Sequence, residues 1–287
     1  MSIYSTSFRE KILKDPNTSL YKIFHLINPT SKSVLDIGCS SGYFGNIIKK
    51  IYNIPVTGVE INKSDYEKAI KKLDKVYKLD IQKDNWTNKI KNKFDTIIIA
   101  DVLEHTINPK KILVESKNLI TKKGEILISV PNVTHQSIIM ELLSGQWNYE
   151  KSGLLDETHL HFFDQNGIIK MIENSGLYIS EIDAVTANLP KEIIKESLSK
   201  DNIKLDDKLY RLLSKNSATI FQHIIRATLI KPNNYKSHQN FEKRIKPISD
   251  WIDNYQKLVN KVDEDNKILN SKRLLINRFF SLVFKNE

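Results

Sequence analysis

Six short apolar runs, spaced by stretches of helix length, restrict this chain more than any other feature. They are SVLDI (33–37), PVTGVEI (55–61), KVYKLDI (75–81), FDTIIIA (94–100), GEILISV (124–130) and LYISEIDAV (177–185). Between them, residues 41–52, 63–73, 108–121 and 165–174 read as helices. In the last, Ile168, Ile169, Met171 and Ile172 recur at helical spacing. A further helix is expected at 18–27, covering the sheet or a ligand cleft. Strands that alternate with helices are joined by crossovers, and crossovers make neighbouring strands parallel. The expected fold class is therefore α/β, a doubly wound, mostly parallel sheet.

The rest of the chain sets outer bounds. Its 287 residues, 40% of them hydrophobic, suit one good-sized domain with an appendage. No apolar run approaches the roughly 18 residues of a membrane span. The start, MSIYSTSFREK, lacks a basic-then-apolar leader pattern, and the single cysteine, Cys39, excludes an intrachain disulfide framework. A cytoplasmic location is expected. The net charge is +10. Residues 1–190 hold 24 Lys/Arg against 22 Asp/Glu, and residues 191–287 hold 20 against 12, so the excess lies in the last third. The domain boundary is drawn there, with 1–190 as the sheet domain and 191–287 as a basic helical extension. Two helices are expected over 190–230, including the apolar run at 218–230, and a long helix or two shorter ones over 248–283. A stripe of Ile252, Tyr255, Leu258, Val259 and Val262 would pack on the body or on a second copy of the chain, giving a homodimer. Residues 272–287 have basic positions beside Phe279, Phe280 and Phe284. Packing is their first reading and peripheral contact with an anionic membrane, at its inner face, their second. No nucleic-acid-binding motif is present, and a basic excess alone does not license that partner.

The first run ends in VLDIGCSSGYFG (34–45). A strand that breaks on Gly38 and runs through Ser40, Ser41 and Gly42 into a helix allows close approach of a ligand, at the strand end where open parallel sheets bind them. The ending of a phosphate loop is absent, and so is the full dinucleotide pattern. Three more acids follow at strand ends: Glu60, suited to ribose hydroxyls, Asp80, suited to an adenine amino group, and Asp101. Acids are rarely buried without partners, so four in register point to a ligand rather than to core packing. The competing explanation is that each caps the following helix.

Together these residues resemble class I S-adenosylmethionine-dependent methyltransferases over about 34–130. In that family the first motif is an acid followed by Gly-x-Gly-x-Gly. Gly38 and Gly42 stand in two of the glycine places, and Ser40 replaces the middle one. The resemblance implies a seven-stranded Rossmann-like fold and S-adenosylmethionine as cofactor. Asp36 with Gly38, Cys39, Ser40 and Gly42 would hold its methionine part, Glu60 and Ile61 its ribose, and Asp80 and Ile81 its adenine. Asp101 would line the junction with the acceptor. Residues 131–163 resemble a subgroup found with sugar and surface-glycan biosynthesis. They carry Pro131-Asn132, Gly145-x-Trp147-x-Tyr149 and Gly153-Leu-Leu-Asp156-x-Thr158-His159-Leu-His161-Phe-Phe163, followed by Gly176-Leu177. That implies O-methylation of a sugar or glycan precursor, with Asn132, Trp147, Tyr149, His159 and Phe162 on the substrate.

Methyl transfer from a sulfonium needs an aligned nucleophile more than covalent help, and a base only for a poor nucleophile such as a hydroxyl. The candidate catalytic residues are His105, His159, His161 and Asp101. Asp101, Glu104 and His105 fall at i, i+3 and i+4, and with His159 they make a mixed oxygen–nitrogen set for a divalent ion. Strand-end acids at a donor site give the same pattern with no metal, which is the reading preferred from sequence. Two alternatives stay open. One is a methyltransferase of RNA, protein or a quinone-like molecule, with or without metal assistance. The other is a non-catalytic partner subunit that keeps the fold.

Overall fold

A computed structural model describes residues 15–233 and Tyr235. The chain divides into a unit Met1–Gln239 and a unit Asn240–Glu287. The second unit lies outside the described residues, and so do the expected helices at 248–283, the dimer stripe and the membrane-contact segment 272–287. No described helix is long and apolar enough to cross a membrane.

Seven strands form one sheet: β1 (Val34–Ile37), β2 (Val56–Glu60), β3 (Lys75–Lys78), β4 (Phe94–Ala100), β5 (Ile120–Pro131), β6 (Tyr178–Thr186) and β7 (Ile220–Thr228). Their order is β3-β2-β1-β4-β5-β7-β6. β7 runs antiparallel to both β5 and β6, and the other pairings are parallel. The order turns back between β1 and β4, where an open sheet leaves a crevice beyond its strand ends.

The central strands are apolar on both faces, as a covered parallel sheet requires. In β4, Ile97 and Ile99 point into one core layer and Ile98 into the other. The first layer is closed by α4 (Pro109–Ser116), α6 (Gln165–Asn174) and the buried Trp86. The second is closed by α1 (Ser19–Leu26), α2 (Tyr43–Tyr52) and α3 (Lys63–Ala69). The expectation that residues 18–27 cover the sheet holds. α5 (Gln136–Leu143) was not foreseen. Its Met140 packs with α7 (Lys191–Lys200) and α8 (Asp207–Leu213) in a separate small core.

The largest correction concerns residues 190–230. α7 and α8 are helices as expected, but the apolar run at 218–230 is mostly β7, inserted between β5 and β6. The sheet is therefore completed by chain beyond residue 190, and the boundary drawn there falls inside one folded unit. Period alone could not separate strand from helix in so apolar a run. Its Thr219, Ile220, Ile224, Ile225 and Thr228 are β-branched, and that was the available signal.

Candidate functional site

The chain leaves β1 through Gly38, whose N–H and that of Cys39 both donate to the Val59 carbonyl at 2.9 and 3.1 Å. Gly38, Ser40 and Gly42 all take positive φ, at 74°, 47° and 69°. A Cβ on Gly38 would come within 2.6 Å of Val102 Cγ2, and one on Gly42 within 2.9 Å of the Ala69 backbone. Glycine is required at both places by handedness and by close approach. The turn is pinned to β2 by Glu60, which accepts from the Ser40 N–H at 2.8 Å and the Asn62 N–H at 2.7 Å. Asn62, rather than Glu60, caps α3, and Asn108 caps α4. Capping therefore does not account for these strand-end acids.

Two cavities flank this turn. One of about 500 Å³ is lined by Asp36, Gly38, Ser40, Tyr43, Asp101 and the start of α1 at Thr18. The other, of about 150 Å³, is lined by Glu60, Ile61, Asp80, Ile81, Val102 and His105. The expected donor residues other than Gly42 thus line one or other of these two cavities, which share Gly38 at the turning point of the sheet. Asp36 is 4% exposed. Burial, and secondarily the Glu60 charge, pushes its carboxyl up to about 7. Cys39 lines the first cavity, but its sulfur occupies the space a side chain at Gly58 would need, 2.5 Å from that Cβ position. Its role is to fill the turn's underside, and burial pushes its thiol above the ordinary range.

Beyond β4 the chain turns through Asp101 at φ 53°. The Asp101 Oδ1 accepts from Ser129 Oγ at 2.7 Å and from Gln222 Nε2 at 3.1 Å. Burial raises this carboxyl, and those two bonds and the nearby histidines draw it back. A tight turn, Leu103–His105, follows. Its Glu104 carbonyl accepts from the Leu160 and His161 N–H groups at 2.8 and 3.1 Å, strapping the two segments together. The Glu104 side chain is 1% exposed, its Oε2 has no hydrogen-bond partner, and burial holds its carboxyl well above the ordinary range. The rings of His105 and His159 meet edge to face, centroids 4.8 Å apart. Burial first, then the neighbouring His105, lowers the pKa of His159. One ligand atom each from Glu104, His105 and His159 lies within 4.8 Å of the others. Asp101, expected in the same set, is not part of that group and turns instead to Ser129 and Gln222.

An aromatic wall extends from His159. Phe162 lies 6.2 Å from it, Trp147 5.1 Å from Phe162, and Tyr149 6.4 Å from Trp147, all edge to face. Two sequence expectations fail in this half. His161 does not join the other histidines, because its Nε2 bonds the Ile107 carbonyl at 3.1 Å and its ring stacks on Phe163. Asn132 is fully buried, and its amide is saturated. Nδ2 donates to the Ser217 and Ile220 carbonyls, and Oδ1 accepts from the Thr134 N–H and hydroxyl. It anchors the start of β7 and has nothing left for a substrate. Sequence reasoning missed Gln222 because β7 was taken for helix. It missed Ser129 and Thr158 because lone hydroxyl residues carry no spacing signal.

Residues 8–182 match the methyltransferase domain family. Among curated proteins, the chain is 22% identical to a ubiquinone biosynthesis O-methyltransferase of Dechloromonas aromatica, over 65% of this chain and 86% of the relative. It is 24% identical to the Rickettsia bellii protein of the same name, over 67% and 79%. Among solved structures it resembles the O-methyltransferase of a trans-AT PKS multienzyme of Brevibacillus brevis, in complex with S-adenosyl-L-homocysteine. The TM-score is 0.51 at 14% identity, covering 85% of this chain and 88% of that one. At that identity the likeness concerns the fold.

Proposed function

Because the chain belongs to the methyltransferase domain family and is an S-adenosylmethionine-dependent enzyme of that kind, we propose that it methylates a hydroxyl on a flat, quinone-like ring. The donor crevice fits the cofactor's chemistry. Glu60 presents both carboxylate oxygens with one lone pair each already used by backbone N–H groups, leaving acceptors for ribose hydroxyls. Asp36 and the 38–42 turn would hold the methionine part, and Asp80 and Ile81 the adenine, next to Ile61. When bound, the donor supplies a methyl group carried on a sulfonium cation. The residues of this chain have to orient an acceptor toward it and exclude water.

The observation that carries the acceptor assignment is the aromatic wall Trp147–Phe162–His159, which ends beside the histidine pair. Flat rings gain by stacking or edge contact with such a wall. The names of the curated relatives support a quinone-like acceptor. The sugar reading of residues 131–163 loses ground on two counts. Neither of these relatives is named for glycan synthesis, and Asn132 is sealed in the fold. His105 and His159 stand at the end of the wall where the reacting hydroxyl would lie. Asp101 lines the larger donor cavity, and His105 lines the smaller one.

The test is transfer of labelled methyl from S-adenosylmethionine to dihydroxylated aromatic rings and, in parallel, to nucleotide sugars. The expected product is an aromatic methyl ether. Label found only in the sugars would overturn the acceptor assignment and restore the glycan reading.

A further inference from the structure

We propose that Gln222, on β7, is a positioning residue for the donor. It fixes the Asp101 carboxylate so that one oxygen faces the larger cavity and receives the donor's ammonium group. This role rests on the proposed placement of the methionine part in that cavity.

The first support is the way Asp101 is held. It leaves β4 at φ 53°, a conformation that costs free energy in a residue with a side chain unless its surroundings impose it. Here hydrogen bonds impose it. The Asp101 N–H donates to the Ser129 carbonyl and to Ser129 Oγ, both at 3.1 Å. The Ser129 hydroxyl donates in turn to Asp101 Oδ1 at 2.7 Å, and Gln222 Nε2 donates to the same oxygen at 3.1 Å. With two donors on Oδ1, the carboxylate cannot turn without losing both. Among the described residues no hydrogen bond is made to Oδ2. The clamp therefore selects which oxygen is offered.

The second support is register. Ser129 lies beside Ala100 of β4 and opposite Ile224 of β7, while Gln222 lies opposite Pro131, two residues further along β5. Side chains two apart on a strand share a face, and so do those directly opposite across a ladder. Ser129 and Gln222 thus emerge on the face of Ile224, which packs in the layer closed by α1. The larger cavity lies on that side, because its lining includes the start of α1.

The third support is charge. The described lining of that cavity holds Asp15, Asp36 and Asp101, and no Lys or Arg. Carboxylates gathered in this way favour a cation between them. The donor carries two cationic centres. Its sulfonium has no proton to give, whereas its ammonium has three N–H donors and can use a free carboxylate oxygen. An oxygen fixed in advance has little ordering left to lose when the donor arrives.

The test compares two ligands by calorimetry on the full chain. S-adenosylhomocysteine keeps the ammonium. 5′-Methylthioadenosine keeps the adenosine and the sulfur and lacks the amino acid. Gln222→Met preserves the length of the side chain and removes its donor. The expected result is a loss of about tenfold for S-adenosylhomocysteine, the lower end of what a hydrogen bond to a charged group contributes, with 5′-methylthioadenosine unchanged. Unchanged binding of the second ligand also shows that the variant is folded. Asp101→Asn should give at least as large a selective loss, and Gln222→Met should add nothing to it, since residues acting through one contact are not additive. Ser129→Ala removes the other donor to Oδ1 and should show the same selectivity, and it stands in for Gln222→Met if that variant does not fold. Equal losses for both ligands would overturn the positioning role and leave the methyltransferase assignment intact. So would unchanged S-adenosylhomocysteine affinity in Gln222→Met, or losses at Gln222 and Asp101 that add in full. A wild-type chain that binds neither ligand would break the proposed function and this role with it.

Discussion

The two ends of the crevice are built differently. At the donor end, every candidate group sits within a few residues of a strand end. The turn at 38–42 hangs from the Val59 carbonyl and from Glu60. Its geometry follows from the sheet. At the acceptor end, the groups come from the turn after β4 and from a long stretch between β5 and α6. They are positioned by cross-links such as Glu104 to Leu160 and Thr158 to His105. The donor end tolerates little change because backbone holds it. The acceptor end is held by side chains, so it can be altered one contact at a time. Variants should divide accordingly, into those that abolish donor binding and those that change acceptor handling alone.

The largest effect is expected at Gly38. Valine there must adopt φ 74° and place its Cβ 2.6 Å from Val102 Cγ2. Strain of this kind costs on the order of 1–3 kcal/mol, and relieving it moves the turn. S-adenosylhomocysteine binding should fall by up to roughly 150-fold, with the sheet still folded by circular dichroism. Retained affinity would show that the turn is not the donor cradle. Next is Glu60→Ala, which removes the acceptor for two backbone N–H groups and for the proposed ribose contact. Hydrogen bonds to a charged group contribute about 1.5–3 kcal/mol, so donor affinity should weaken roughly 10- to 100-fold. Methyl transfer at saturating donor should then largely recover. A fall in kcat with donor KM unchanged would contradict this assignment.

The same division decides what was legible in the sequence. Strand ends and glycines mark the donor end in one dimension, so the spacing of the apolar runs alone locates Asp36, Gly38, Gly42, Glu60, Asp80 and Asp101. It does not locate β7, because an apolar run of nine residues fits either a helix or a buried strand. With β7 misplaced, Gln222 could not be seen to reach Asp101 across 121 residues of chain. Asn132 misled for a related reason. An amide beside a strand end looks available in sequence, and only the fold reveals that Thr134 and the chain entering β7 use all four of its hydrogen bonds. His159 and His161 look equivalent in THLHFF. The bond to the Ile107 carbonyl is what separates them.

Trp147→Ala sharpens the contrast from the acceptor side. It deletes an inner member of the aromatic wall, the ring that meets both Phe162 and Tyr149. An aromatic contact contributes about 0.5–1.5 kcal/mol beyond its buried area. The KM for an aromatic acceptor should rise about 3- to 10-fold, while calorimetric affinity for S-adenosylhomocysteine stays at the wild-type value. Equal loss at both would mean that the wall supports the whole crevice and that the two ends are not separable.

The smallest effect is a proton. An ordinary aspartate ionises near 3.8, whereas burial and the Glu60 charge push Asp36 up to about 7. Between about pH 4 and 7 the folded protein therefore holds a proton that the unfolded chain has released. The stability contributed by this group declines as pH rises through that window. The donor reverses the balance. It is cationic, and a cation beside Asp36 favours the ionised carboxylate. Binding below pH 7 must then release a proton, and affinity must rise with pH. Between pH 6.5 and 7.5 the ionised fraction of a group titrating near 7 rises about threefold, and affinity should follow it. Calorimetry in two buffers of different ionisation heat reads the released proton directly. Asp36→Asn should abolish both the release and the slope. A slope that survives the substitution would assign the proton elsewhere, and Glu104, also buried and held well above its ordinary range, would be the first group to test. In that case the donor and acceptor ends would be coupled through charge, although their backbones are built independently.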